Sequence, residues 1–292
     1  MNNKRRLFST LLCVAALTAG LFVSGCGSDK AGGIGSVVSS VVDGGSDEKA
    51  AAKLNTLIDA TNRFNGDNAT WGQNYADSLA KLKGGFQEGA IGRQPHYDTL
   101  KEALEQSKKE GSTFKEVDTE RDNVLNVLNE LVPTFKDLKA YDDSKAYMND
   151  GGAKGKELAA KYVAQVEKFD AAYAKFNDAL NKANTEQTKK QIEKLKKDGK
   201  KGYAAAMEST LRLTTLVENV EKAPKNADKQ AVEKELNEIQ TLLKSINNDR
   251  GEVLVNSYNS VVGSVRQVLN DANENNLNDM IENFNNYIES YN

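Results

Sequence analysis

Residues that commonly carry out catalysis are scarce in this chain of 292 residues, which has a single histidine, His96. A zinc site built from several histidines, an HExxH helix and a carboxylate–histidine di-iron bundle would each lack ligands. A Ser-His-Asp triad would depend on His96, and the sequence has no Gly-x-Ser-x-Gly motif to present the serine. His96 follows Pro95 in a predicted loop or helix start, so we interpret it as a surface residue rather than a base.

Cysteine chemistry is confined to the first 26 residues, which contain both cysteines. Cys26 stands behind a basic start at residues 4–6 and an apolar stretch at residues 7–22. The residues directly before it are Val23, Ser24 and Gly25. This order resembles the lipobox of a bacterial lipoprotein signal peptide. We predict cleavage before Cys26, which then carries a diacylglyceryl group and often an N-acyl chain, so that the chain is bound stably to a membrane.

The alternative interpretation of this N-terminal segment is an uncleaved membrane anchor. A membrane-spanning helix needs about 20 predominantly apolar residues, and the run found here is shorter. It is also interrupted at Ser9, Thr10, Thr18 and Gly20. Cleavage would remove Cys13 and acylation would occupy Cys26, which leaves no thiol for catalysis, for a metal site or for a disulfide. Gly27 follows Cys26 where Asp would favour the inner membrane, so we expect the outer membrane, facing the periplasm, in a diderm bacterium.

Oxygen ligands with the spacing of a calcium-binding EF-hand loop occur near the C-terminus. They fall at positions one, three, five, nine and twelve of such a loop: Asp271, Asn273, Asn275, Asp279 and Glu282. Asn276 replaces the turn glycine and Asn278 the usual apolar residue, although asparagine tolerates the left-handed turn conformation. An Asn-rich connection between helices, or one continuous polar helix, explains the same residues. We predict no metal site and no cofactor, with calcium as the weaker alternative.

Two glycine-rich segments fail the requirements of phosphate-binding loops. The segment from Gly151 to Glu157 has its glycines one residue too close together, and Glu157 stands where serine or threonine would bind magnesium. The glycines of residues 32–35 lie in a predicted tether rather than after a strand. Acidic side chains are plentiful, but a catalytic pair of carboxylates is defined by geometry that the sequence does not give. A carboxylate-based hydrolase is therefore the least favoured function.

Charge argues against nucleic acid as a partner. The chain has a formal net charge of −3, and without the three basic residues of the signal the remainder carries −6. Phosphate contacts need clustered lysine and arginine. Lysines do cluster between Lys189 and Lys201, where they could touch an anionic surface. Because Glu193 and Asp198 dilute this cluster, we prefer to interpret it as a solvated face or a loop.

Helical periodicity dominates the chain after residue 48. Apolar residues recur at three- and four-residue steps in several segments. The clearest stripe contains Leu158, Tyr162, Val166, Phe169, Tyr173, Phe176 and Leu180. We predict a helix end at residues 65–67, and a kink or restart near Val132 because of Pro133. Several such helices with short connections predict an all-α fold, an antiparallel multi-helix bundle.

The domain organisation follows from these patterns. We predict a signal peptide at residues 1–25, the lipidated Cys26 with a flexible Gly/Ser-rich tether up to residue 48, and a helical bundle domain at residues 49–292. The length allows one sizeable domain or two small ones. Whether residues 67–112 pack into the bundle is left open by the pattern.

Four sequence segments are similar to those of a known family. They read LNTLIDATNRFNG at Leu54–Gly66, YDDSKAY at Tyr141–Tyr147, AKGKEL at Ala153–Leu158 and YNSVV at Tyr258–Val262. Behind a lipobox, these segments resemble the YiiG-like family of bacterial envelope lipoproteins, over most of the chain after the tether. The resemblance implies a helical lipoprotein domain of unknown function and supplies no catalytic residue.

These observations together favour a membrane-anchored lipoprotein of the bacterial cell envelope without enzymatic activity. We expect its helical domain to bind an envelope protein or another envelope component. The alternative is a solute- or lipid-binding bundle in which aromatic residues surround a cavity, namely Tyr162, Phe169, Tyr173 and Phe176. We prefer to interpret these rings as core, because apolar residues at helical spacing mainly form the core of a bundle.

Overall fold

The structure is a computed structural model that describes residues 46–92, 95–111, 114–246 and 249–291. The predicted signal peptide, Cys26 and residues 23–25 before it lie outside the described residues, as does most of the predicted tether. Within the described ranges, no helix has the length and apolar character that crossing a membrane requires.

The fold is all-α, as the periodicity predicts. The first helix begins at Ser46, inside the segment predicted as tether. The helices in chain order are α1 (Ser46–Lys83), α2 (Tyr97–Lys109), α3 (Lys115–Asp143), the single turn α4 (Tyr147–Asp150), α5 (Ala153–Lys197), α6 (Lys201–Lys222), α7 (Lys229–Lys244), α8 (Asp249–Asn270) and α9 (Glu274–Tyr291).

The helices form two compact units. The first unit comprises Lys53–Ala183, and the second comprises residues 46–52 and 184–291. In the first unit α2 runs antiparallel to α3, because Lys108 bonds Asp122 at 2.9 Å while Lys136 bonds Asp98 at 3.2 Å. Residues between 67 and 112 pack into this unit, where their buried side chains include Tyr75, Leu82, Tyr97, Leu100 and Leu104.

Helix α3 runs antiparallel to α5 within the first unit. Lys182 pairs with Glu116 at 2.6 Å near one end, and the rings of Phe135 and Tyr162 lie 5.7 Å apart towards the other. The predicted restart near Val132 is wrong, since α3 continues through Pro133. Burial of the apolar residues on both sides of the proline outweighs the intrahelical hydrogen bond that proline cannot donate.

The second unit contains an up-down-up-down bundle of α6 to α9. Arg212 of α6 binds Glu235 of α7. Helices α7 and α8 run antiparallel, because Arg266 binds Glu233 while the Tyr258 hydroxyl donates to the Leu236 carbonyl. Helices α8 and α9 form a hairpin around the three residues 271–273. The core of the second unit is apolar. Its buried side chains include Leu213, Val217, Ile239, Leu243, Leu254, Val261, Met280 and Phe284.

The helix end predicted at residues 65–67 is also wrong. Helix α1 passes through Asn65 and Gly66 without interruption. The buried Asn65 side chain accepts a hydrogen bond from the Tyr173 hydroxyl at 3.0 Å. Glycine inside a helix costs about 1 kcal/mol relative to alanine, and the packing of Ile58, Thr61 and Phe64 on the inner face outweighs this cost.

Candidate functional site

Two of the segments that carry the family resemblance meet at one surface corner of the first unit. The loop after α1 places Phe86 where α3, α4 and α5 adjoin. Its ring lies 5.2 Å from that of Tyr141 and 5.8 Å from that of Tyr147, measured between centroids. The edge-to-face arrangement of Phe86 and Tyr141 is the favoured one for aromatic pairs. We call this group the Phe86 corner: Phe86, Tyr141, Tyr147, Asp150 and Gly155.

Gly155 makes the close packing of this corner feasible. A Cβ atom at this position would lie 2.6 Å from ring atoms of both Phe86 and Tyr141. Only glycine leaves room for the two rings on the first turn of α5. A helical position that otherwise disfavours glycine is therefore specified by the shape of its neighbours.

Asp150 organises the start of α5. Its carboxylate accepts a hydrogen bond from the Tyr141 hydroxyl at 2.5 Å and bonds from the amides of Gly152 at 2.9 Å and Lys154 at 3.1 Å. The hydrogen bond from the Tyr141 hydroxyl, and to a smaller extent those from these amides, lower the pKa of Asp150 below its ordinary value. Because the carboxylate occupies amides at the helix N-terminus, the site where a phosphate would bind is filled by the protein's own side chain.

The rim of the Phe86 corner is acidic and carries an exposed methionine. The carboxylate of Glu88, with a smaller contribution from burial, raises the pKa of the Tyr147 hydroxyl to about 12. Asp142 accepts a long hydrogen bond from the Gly89 amide at 3.5 Å. Met148 on α4 is 69% exposed, which is exceptional for a large apolar side chain in this structure. Met148 thus adds exposed apolar surface directly after Tyr147, whose ring packs in the corner.

A buried network of tyrosines lies elsewhere in the first unit. The hydroxyls of Tyr75 and Tyr97 are 2.9 Å apart, and Tyr162 belongs to the same network. Burial raises the pKa of each of these hydroxyls above its ordinary value. All three therefore stay protonated at neutral pH and act as hydrogen-bonding groups.

Asp170 is the carboxylate most perturbed by this environment. Burial raises its pKa to about 6, Lys83 opposes the rise and Glu167 adds to it. Lys83 itself pairs with Glu167 at 2.8 Å. A carboxyl that titrates near neutrality can act as a general acid. The neighbouring carboxylate, Glu167, forms an ion pair with Lys83 and does not form a catalytic pair with Asp170. Asp170 follows Phe169 at the edge of the apolar stripe of α5. This position beside a buried residue is the feature of the sequence that points to partial burial of its carboxyl group.

The aromatic stripe of α5 forms core, as predicted. Tyr162, Phe169, Tyr173 and Phe176 are at most 5% exposed. Phe64 of α1 packs against two of them, with ring centroids 5.8 Å from Phe169 and 5.3 Å from Tyr173. The rings contact one another closely, so their surface is used in packing.

The calcium-like residues form a helix connection. Only residues 271–273 lie outside helices here, and Asn275, Asp279 and Glu282 belong to α9. The Asn273 side chain accepts the Asn276 amide at 2.9 Å, as a helix cap does. A calcium loop would stay non-helical well beyond Asn273. Across the described ranges, no three acidic, histidine or cysteine side chains gather as metal ligands would.

His96 precedes α2 directly. Its side chain is exposed and makes no capping hydrogen bond, while its carbonyl accepts the Leu100 amide at 3.1 Å. The residue is therefore on the surface, as predicted.

Comparison with known proteins places the chain in a family. A family model described as "Protein of unknown function (DUF3829)" matches residues 48–291. The chain belongs to this family. The DUF3829 match includes the Phe86 corner and the helices of both units. No curated protein matches the chain, and no solved structure matches it.

Proposed function

We propose that this DUF3829 protein is a YiiG-like envelope lipoprotein, anchored through lipid on Cys26, whose helical domain binds another envelope component without catalysing a reaction. The favoured location is the outer membrane, facing the periplasm. The lipobox order of residues 23–26 supports the anchor. A tethered binding module needs a rigid surface that a partner can recognise, and the first unit supplies one.

The observation that carries the proposal is the exposed Met148 on the Phe86 corner. An exposed methionine next to packed aromatic rings gives a partner an apolar group that it can bury on binding. Met148 follows Tyr147 on α4, and the Tyr147 ring packs against the rings of Phe86 and Tyr141. The acidic rim adds specificity for a partner with basic groups.

Core packing of the aromatic stripe supports a binding surface over an internal ligand site. A solute- or lipid-binding bundle would use the rings of α5 to line a cavity. Those rings instead pack against Phe64, Tyr97 and Phe135. The surface corner therefore offers the better candidate for recognition.

Photo-crosslinking in the cell tests this proposal. A photoreactive amino acid replaces Met148, and a matched variant carries it at Val253, which is 50% exposed on the second unit. We expect a discrete crosslinked species from position 148 and a weaker one, or none, from position 253. Mass spectrometry identifies the partner and measures the mass of the N-terminal peptide.

Two outcomes would contradict parts of the proposal. An unmodified Cys26 in the purified protein would rule out the lipid anchor. Equal crosslinking from positions 148 and 253 would remove the Phe86 corner as the recognition surface. The Cys26→Ala variant controls for location, because a partner in the same membrane compartment is lost when the anchor is lost.

A further inference from the structure

Positive charge is concentrated in one short segment of an otherwise acidic protein. Residues 189–201 contain seven lysines and two acids, a net charge of +5. Residues 26–292 as a whole carry −6, so the remainder of that range carries −11. Such segregation of charge creates a local positive field that the net charge conceals.

A tight turn places these lysines at the adjoining ends of two helices. Helix α5 ends at Lys197, and Gly199 adopts a left-handed conformation with φ of 74°. The Lys200 amide bonds the Leu195 carbonyl at 2.9 Å, which fixes the direction in which α6 leaves. We define the basic patch as six lysines on the two sides of this turn: Lys189, Lys190, Lys194, Lys197, Lys200 and Lys201.

The charge of the basic patch is available to a partner. Lys196 of the same segment is engaged, because it pairs with Glu208 at 2.9 Å and Glu193 at 3.6 Å. For the six lysines of the patch, the described part of the chain provides no ion-pair partner within 4.0 Å. Four of them line a shallow surface depression with Glu193 and Asp198.

Fold stability does not account for the lysines at the start of α6. Lys200 occupies the N-cap and Lys201 the first helical position, and no side chain caps the amides there. The positive N-terminal end of the α6 dipole disfavours the cations of Lys200 and Lys201, whereas the negative C-terminal end of the α5 dipole favours those of Lys194 and Lys197. An anionic surface placed against this turn would attract both the lysines and the helix N-terminus, and this attraction would offset their mutual repulsion.

We propose that the basic patch contacts the anionic phospholipid headgroups of the membrane to which the chain is anchored. The inference rests on the proposed lipid anchor, which keeps the patch within reach of that surface. Charge complementarity selects the occupant: six unpaired lysines match a bilayer that presents many phosphates, and their attraction operates within a Debye length of about 10 Å at 0.1 M salt.

Amine acylation of the full chain tests this contact. The protein purified from its membrane is reconstituted into vesicles of phosphatidylcholine, with and without phosphatidylglycerol, and each lysine is quantified by mass spectrometry. A surface potential of about −30 mV raises the local proton concentration about threefold and lowers the reactive neutral amine equally. We expect acylation of the patch to slow about threefold on anionic vesicles and to recover at high salt, with Lys225, Lys234 and Lys244 as internal controls.

Matched variants separate the patch from general charge. The triple variant Lys190→Gln, Lys194→Gln and Lys197→Gln should abolish protection at the remaining patch lysines. The control triple Lys225→Gln, Lys234→Gln and Lys244→Gln changes the net charge equally, on exposed positions of the same unit, and should preserve it. Lys201→Glu should weaken protection while raising the thermal midpoint, because an acid suits the first turn of a helix.

Three results would overturn the inference. Equal acylation on both kinds of vesicle would show that the patch does not meet the bilayer. Protection of the control lysines to the same extent would indicate general adsorption. Protection by inorganic polyphosphate without vesicles, and none by anionic vesicles, would assign the patch to a soluble polyanion. An unlipidated Cys26 would contradict the proposed anchor alone, since added vesicles still report on the patch.

Discussion

Gly155→Ala should lower the free energy of unfolding of the first unit by about 2 to 3 kcal/mol, the cost of inserting a methyl group into a filled site. The new Cβ would lie 2.6 Å from the rings of Phe86 and Tyr141. The two rings cannot move apart without losing their edge-to-face contact, and a shift of Tyr141 would also disturb its hydrogen bond to Asp150. Urea titration with hydrogen-exchange detection on α3 and α5 measures the loss.

The same substitution elsewhere provides the matched control. Gly66 and Gly263 also lie inside helices, and a Cβ at either position meets no atom within 4 Å. Alanine there should stabilise by about 0.5 to 1 kcal/mol, because it favours the helix. The opposite sign at Gly155 isolates the steric effect of the Phe86 corner.

A double-mutant cycle tests the assigned cause. Phe86→Ala removes one of the two clashing rings and gives the Tyr141 ring space to move away, so Gly155→Ala should cost less in that background. If Gly155→Ala is as stabilising as Gly263→Ala, or if its cost is unchanged without Phe86, the close packing described for the corner is incorrect.

Asp170→Asn should stabilise the first unit by about 2 to 3 kcal/mol above pH 7 and have little effect near pH 4. Burial raises the pKa of Asp170 from 3.8 to about 6 in the folded protein. A shift of one pKa unit corresponds to about 1.4 kcal/mol of stability. Asparagine keeps the shape of the side chain and removes the need to bury a charge.

The sign of the pH dependence follows from proton binding. Between pH 3.8 and about 6, the folded state holds the Asp170 proton more tightly than the unfolded chain does. Stability therefore falls as the pH rises through this window, and the full cost is present above it. Thermal unfolding of the wild type and the variant, measured from pH 4 to 8, gives the difference that belongs to this residue.

Neighbouring charges define the control for this experiment. Lys83 lowers the pKa of Asp170 and Glu167 raises it. Glu167→Gln should therefore bring the pKa of Asp170 closer to its ordinary value and reduce the pH dependence. A stability difference between Asp170→Asn and the wild type that does not vary with pH would contradict the burial argument.

The helices were predictable because periodic apolar residues record burial along one face. In α2, for example, the buried residues Tyr97, Leu100, Leu104 and Ser107 recur at steps of three and four. Arg121 interrupts such a stripe in α3, between Val117 and Val124. The structure buries Arg121 between Asp118 at 2.6 Å and Asp122 at 3.0 Å, so a polar residue occupies the inner face through ion pairs. Single residues whose partners lie close in sequence can be rationalised in this way.

Contacts between distant segments were not predictable. The continuation of α1 through Asn65 depends on Tyr173, and the role of Gly155 depends on Phe86. The sequence shows only that glycine has low helix propensity at both positions 66 and 155. In the structure Gly66 is exposed, whereas the rings of Phe86 and Tyr141 occupy the space where a side chain of residue 155 would lie. The raised pKa of Asp170 likewise requires the burial that only the assembled unit produces.

The Phe86 corner also bears on the order of folding events. Tyr141, Asp150 and Gly155 are close in sequence and can assemble locally, whereas Phe86 precedes Tyr141 by 55 residues and Gly155 by 69. Closing a loop of that length loses entropy before the ring is in place. Docking of Phe86 then belongs to the native side of the folding barrier. Substitutions at Phe86 should therefore accelerate unfolding and leave the refolding rate almost unchanged.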